Sequence, residues 1–81
     1  MTGQEIHPVY GPAAEFAEHK VGHHITYRQQ HDWDNEPQTY TGEILWVKAA
    51  TDDSPICYIV APDVPHGFVD HVYPGEVVIQ S

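Results

Sequence analysis

Apolar and polar residues alternate along most of the chain beyond residue 20, and the alternation has a period of two. From Gly22 to Gln30, Val21, His23, Ile25 and Tyr27 fall on one face, with His24, Thr26 and Arg28 on the other. That pattern predicts a first β-strand. A second is predicted from Thr39 to Lys48, with Gly42 marking a bulge or sharp bend near its start. In this strand Ile44 and Trp46 share one face and Leu45 and Val47 the other, so both faces are apolar. One interior cannot bury both, and the second face needs cover from the N-terminal segment, a partner or another copy.

Ile56 to Val60 predicts a third, nearly continuous apolar strand, and Phe68 to Tyr73 a fourth. Pro74-Gly75-Glu76 predicts one 3₁₀ turn before a short closing strand from Val77 to Ile79. Thr51 to Pro55 and Pro62 to Gly67 read as turns, and the polar stretch from His31 to Gln38 as a long loop. The fold class is therefore all-β: a five-stranded SH3-like barrel over residues 21–81, with a flexible N-terminal arm over residues 1–20. The arm carries Pro8, Gly11 and Pro12, and its residues 13–20 have the composition for one or two helical turns. Phe16 is the arm residue expected to pin it to the barrel.

Charge narrows the range of functions. Three cations, Lys20, Arg28 and Lys48, face twelve carboxylates, for a formal net charge of −9. Nucleic-acid binding draws on clustered cations that neutralise phosphates, so no nucleic-acid partner is expected. Basic proteins, cationic ligands and metal ions suit this balance better. Cys57 is the single cysteine and sits in an apolar run, which predicts a buried, inert thiol and a reducing, cytoplasmic setting. The first residues, Met1 to Glu5, show no basic segment leading into an apolar one, and no stretch is long enough for a membrane span, so no membrane partner is expected.

Candidate chemistry is sparse. Seven histidines are present, with His19, His23 and His24 close together and His31 preceding Asp32 and Asp34. Imidazole and carboxylate suit zinc, nickel or copper. However, His23 and His24 fall on opposite strand faces, and no Cys-x-x-Cys or His-Glu-x-x-His spacing occurs. Solvated or stacking roles are the simpler reading, so no metal ligand is assigned and no cofactor is expected. Glu43, Asp70 and Glu76 are separated acids with no paired spacing, and no catalytic residue is assigned. Trp33 is the more suggestive residue. It lies in the polar loop between Asp32 and Asp34, with no strand pattern to bury it, and an exposed loop tryptophan is a common anchor for a partner. Trp33 folding back over the barrel end is the competing reading.

Several short motifs resemble the plasmid-borne type II dihydrofolate reductases, which confer trimethoprim resistance. The stretch Asp70-His71-Val72-Tyr73-Pro74 is similar to that family's Val-Gln-Ile-Tyr-Pro pore motif. Gly22 at a strand start, Gly42 with Ile44 and Trp46, and Tyr58-Ile59-Val60 resemble it in order and spacing. The resemblance covers residues 16–80. It implies an SH3-like barrel behind a disordered arm, a ring of four copies, and a central pore that holds folate and a nicotinamide cofactor. His71 stands where the family has its ligand-pairing glutamine, Asp70 replaces a valine, and the family's pore lysine falls at Tyr27. An acidic pore repels the phosphates and carboxylates of those ligands.

Taken together, these features favour a small non-enzymatic interaction module. Its binding surface would comprise Trp33, Asp32 and Asp34 with Tyr27 or Tyr73, and its partner would be a protein or peptide, preferably basic. One alternative is a homo-oligomeric pore protein, reductase-like in architecture, binding a small ligand at His71, Val72 and Tyr73. Another is a His-rich metal-binding protein.

Overall fold

The computed structural model of the protein describes residues 6–78. Its elements are β1 (Ile6–His7), β2 (Gly11–Pro12), β3 (His24–Gln29), β4 (Gln38–Lys48), β5 (Cys57–Pro62), β6 (Asp70–Val72), a 3₁₀ turn (Pro74–Glu76) and β7 (Val77–Val78). Met1 to Glu5, and Ile79 at the expected end of the last strand, lie outside the described residues. Among the described residues no helix is long and apolar enough to cross a membrane.

Five strands form one antiparallel sheet in the order β6-β5-β4-β3-β7, curled strongly enough to make a half-barrel. The all-β class read from the alternation holds. The strand faces hold as well in β3, where Ile25 and Tyr27 are buried while His24 and Arg28 are exposed. Val21 and His23 precede the strand and are exposed. The core cluster joins Ile25, Tyr27, Ile44, Val47, Tyr58, Val60 and Val72. Cys57 is buried, and burial pushes its thiol above the ordinary range, as suits an inert side chain.

The bulge in β4 is not at Gly42. The pairing with β5 runs in step from Gly42 opposite Pro62 to Ile44 opposite Val60, then shifts so that Trp46 faces Ile59. The extra residue is Leu45, which is exposed. One inserted residue reverses the in-out phase. Ile44 and Val47 therefore both point into the core, although strict alternation puts them on opposite faces. This resolves the puzzle of two apolar faces. Gly42 has a different role: β5 passes so close that a side chain has no room there.

The N-terminal segment supplies cover for the remaining face. β1 pairs with β2, and Ala13 bridges to Lys48. Ala14 N–H donates to Val47 O at 2.9 Å, and Ala49 N–H donates to Pro12 O at 3.0 Å. The His7 ring lies against Trp46, with centroids 5.2 Å apart. Phe16 does not pin this segment, for it is 85% exposed; Ala14 and Ala17 pack on the core instead. Backbone pairing to β4 brings the chain close to the sheet, where small side chains fit. No helical turn forms over residues 13–20.

Gln29 ties the two ends of the sheet together. Its Nε2 donates to His71 O at 2.7 Å and to Glu76 Oε1 at 3.2 Å. Glu76 also accepts from Tyr73 N–H at 2.9 Å, which fixes the 3₁₀ turn that returns the chain to β3.

Gly42→Ala tests the β4–β5 contact. The added Cβ would lie 2.6 Å from Val60 Cγ1 and 2.9 Å from Pro62 Cα. Overpacking of this kind costs about 1–3 kcal/mol. Urea unfolding should show at least that loss, and a variant as stable as the parent would overturn the close approach.

Candidate functional site

The turn that follows β3 is built by its own side chains. Asp34 N–H donates to His31 O at 2.9 Å, and His31 N–H donates back to Asp34 Oδ2 at 3.0 Å. Aspartate suits such a turn because its short carboxylate reaches nearby backbone N–H groups. Trp33 sits within this turn. Its ring stacks on the His31 imidazole, with centroids 4.5 Å apart and planes 2° from parallel. Trp33 thus does fold back over the barrel end, yet 55% of it remains exposed.

Beneath Trp33, β6 and the loop before it complete a histidine–carboxylate cluster. Asp70 is the first residue of β6 and shares the inward face with Val72. It is 4% exposed, the one charged residue buried among the described residues. His31 Nε2 lies 2.8 Å from Asp70 Oδ1, and His66 Nε2 lies 3.0 Å from the same oxygen. The phenol of Tyr27 donates to Asp70 Oδ2 at 2.5 Å, across the barrel interior from β3. Gly67, with φ of 94°, takes a left-handed conformation immediately after His66 and turns the chain toward Phe68. The His66 ring contacts both Trp33, at 5.0 Å between centroids, and Phe68, at 6.2 Å.

His31 is held from both sides. Its Nδ1 lies 3.1 Å from Asp34 Oδ2 and 3.0 Å from Tyr40 Oη. The Tyr40 phenol itself donates to Asp34 Oδ2. Burial disfavours a charged His31, but its hydrogen bonds to Asp70 and Asp34 prevail and raise its pKa above the ordinary histidine value. Burial likewise opposes ionisation of Asp70, and the hydrogen bonds from Tyr27, His31 and His66 outweigh it, so its carboxyl stays below the usual range. Asp34 is also lowered, first by Tyr40 and then by the His31 backbone N–H. Tyr27 moves the opposite way: burial and the Asp70 carboxylate raise its phenol. In chemical terms the cluster is two carboxylates sharing one imidazole, with two phenols donating inward.

Three potential ligand atoms converge here. One atom each from His31, His66 and Asp70 lies within 4.8 Å of the others, a set able to hold a metal ion. The sequence assigned no such group. Its members come from the loop after β3, the loop before β6 and the first residue of β6, and no short motif joins them. A signal was present at Asp70: in an alternating strand it shares a parity with Val72, which puts a carboxylate on the inward face.

The residues singled out from sequence are scattered differently. Trp33 and Asp34 belong to the cluster, and Asp32 is exposed beside them. Tyr27 is fully buried and reaches the site only as a hydrogen-bond donor to Asp70, so it cannot be a contact surface. Val72 is also fully buried, in the core, while His71 is exposed and meets the Tyr10 ring edge-on at 6.1 Å. Tyr73, at the start of the 3₁₀ turn, is exposed. His71, Val72 and Tyr73 thus do not share one face.

A second histidine–carboxylate pair lies elsewhere on the half-barrel. His24 Nε2 is 2.7 Å from Asp63 Oδ1, and Thr41 Oγ1 donates to Asp63 Oδ2 at 2.7 Å. A cleft of about 490 Å³ opens beside them, lined in part by Glu18, His19, Thr41 and Val77. The pair is exposed to solvent, where such contacts are worth little.

No family model, no curated protein sequence and no solved structure matches the chain.

Two expectations follow. Tyr27→Phe leaves a buried Asp70 oxygen without its donor, which should cost about 1–3 kcal/mol in urea unfolding; an unchanged midpoint would deny the Tyr27–Asp70 bond a structural role. For Asp63, the Thr41 hydroxyl ranks above His24 in lowering the carboxyl pKa. The folded value lies below the unfolded one, so Asp63 adds stability above about pH 4 and loses it as pH falls through the folded value. Carboxyl NMR titration should show Thr41→Val raising the Asp63 pKa more than His24→Asn does. The reverse order would make the imidazole the dominant partner.

Proposed function

We propose that the chain is a small interaction module that binds a cationic segment of another protein on an aromatic platform centred on Trp33. The observation that carries this reading is the parallel stacking of Trp33 on His31. It fixes one face of the indole and leaves more than half of the residue in solvent. A side chain already held in place loses little freedom on binding, so more of its contact energy reaches affinity. His66 adjoins the indole, and Phe68, 71% exposed, adjoins His66.

Charge supports a cationic partner. Asp32 and Glu36 are exposed in the same loop as Trp33, and the chain as a whole carries a formal charge of −9. An arginine guanidinium over an exposed indole face gains roughly 0.5–1 kcal/mol, and nearby carboxylates add attraction at range. Arginine is the better match than lysine because its planar head stacks on aromatic faces. Affinity would fall with added salt, since the flanking acids act through solvent.

The probe is a capped Arg-Gly-Arg peptide, titrated while the two indole N–H signals are followed by NMR. The Trp33 signal should shift in a saturable way, and Trp33→Ala should lower affinity at least tenfold. A peptide that perturbs only Trp46, or binds the Trp33→Ala variant as tightly, would sink this reading.

A further inference from the structure

We infer that His31, His66 and Asp70 form a binding site for a divalent first-row transition-metal ion, with Zn²⁺ a suitable occupant. The inference goes beyond the peptide platform and stands without it.

The donor geometry comes first. His31 Nε2 and His66 Nε2 both approach Asp70 Oδ1, at 2.8 and 3.0 Å. Ligands about 2.0–2.1 Å from a tetrahedral zinc lie ~3.3 Å from one another. Both imidazole nitrogens now meet on the Asp70 oxygen itself, with all three atoms within 4.8 Å of one another, and an ion would enter by replacing these two hydrogen bonds after small side-chain shifts. Two imidazoles and one carboxylate form a borderline donor set that suits zinc or iron(II) better than calcium or magnesium, which prefer oxygen.

The surroundings already supply outer supports for two of the three ligands. A ligating histidine ordinarily engages a carboxylate through its other nitrogen, and a ligating carboxylate accepts a further hydrogen bond. His31 Nδ1 faces Asp34 Oδ2 at 3.1 Å, and Asp70 Oδ2 accepts the Tyr27 phenol at 2.5 Å. His66 adds a separate point. Its Nδ1 is buried with no partner, so the ring is engaged only through Nε2, toward Asp70. His66 thus lacks the outer support that His31 has and presents Nε2 alone to the cluster.

Charge agrees with geometry. Asp34 and Asp70 place two carboxylates around His31, and one divalent ion matches them. Neither Lys nor Arg makes an ion pair with these acids among the described residues. Three protein ligands leave one position of a tetrahedral ion for water or an incoming donor group.

The test is calorimetric titration of Zn²⁺ into the full chain after chelator treatment and dialysis, alongside His66→Ala, His24→Ala and Trp33→Ala. The expected result is one zinc per chain, a loss of at least tenfold in affinity for His66→Ala, and affinities near the parent's for His24→Ala and Trp33→Ala. Melting in chelator checks that His66→Ala folds; if it does not, His31→Gln replaces it with the same expected loss. Co²⁺ in place of Zn²⁺ should give the visible absorption of a tetrahedral site. No binding to the parent at 100 μM zinc (about 100 times a micromolar Kd) would overturn the proposal, as would zinc binding that survives His66→Ala but not His24→Ala. Trp33→Ala keeps the two readings apart, because it should weaken peptide binding at least tenfold while leaving zinc in place.

Discussion

The hydrogen bond from the Tyr27 phenol to the Asp70 carboxylate is the contact around which the rest of the site is arranged. β3 and β6 are not neighbours in the sheet; β4 and β5 lie between them. The bond therefore crosses the interior of the half-barrel and ties its first long strand to its fourth. Gln29 repeats the connection nearer the end of β3, through His71 O. A buried carboxylate without partners costs several kcal/mol, so Asp70 is tolerable only because Tyr27, His31 and His66 all address it. Each hydrogen bond to such a charge returns about 1.5–3 kcal/mol. The loops that carry His31 and His66 are thus held to the barrel by the requirement to satisfy one charge. Replacing this group of polar residues by apolar ones of equal volume is often neutral or stabilising, which makes its presence here a reason to look for function rather than for stability.

The sequence carried most of the fold because the sheet has one wet face and one dry one along β3 and β6. In those strands alternation translates directly into burial. It misled in β4, where the bulge at Leu45 reverses the phase midway. A bulge leaves no residue signature unless it needs glycine, and the glycine that is present, Gly42, answers a close approach of β5 instead. It misleads again at Phe16, the largest apolar side chain of the N-terminal segment and hence its expected anchor, which is exposed. The segment is tied to β4 through backbone hydrogen bonds and alanine contacts, and hydrogen-bond pairing is not visible as hydrophobicity.

The site was only half legible. Trp33, Asp34 and His31 stand within four consecutive positions, so a local reading could find the loop. It could not find Asp70 or His66 opposite them. Those residues arrive because β6 pairs with β5 at the far edge of the sheet and the curl of the sheet brings that edge back across the interior, putting residues 31 and 70 in contact. Tyr27 is legible as aromatic, which suggests a binding surface, but its strand parity, shared with Ile25, places it inside. The pore motif suffered from the same parity. In an extended strand His71 and Val72 must face opposite ways, and the structure puts Val72 in the core.

His31 is the residue shared by the inner and outer parts of the site. One flat face of its ring supports Trp33, and its two nitrogens face Asp34 and Asp70. An imidazole gripped at both nitrogens cannot turn about its ring axis without breaking a charge-assisted bond. The stacked indole inherits that restraint, so an exposed aromatic surface is held by a buried electrostatic one. Small barrels ordinarily place such surfaces on loops, which are their least ordered parts. Here the loop between β3 and β4 takes its order from the carboxylates beneath it. The half-barrel fixes where β3, β4 and β6 stand, those strands fix Tyr27, Tyr40 and Asp70, and these in turn fix His31. Trp33, whose sequence context marks an exposed loop anchor, is therefore the outermost member of a chain of contacts that begins in the core.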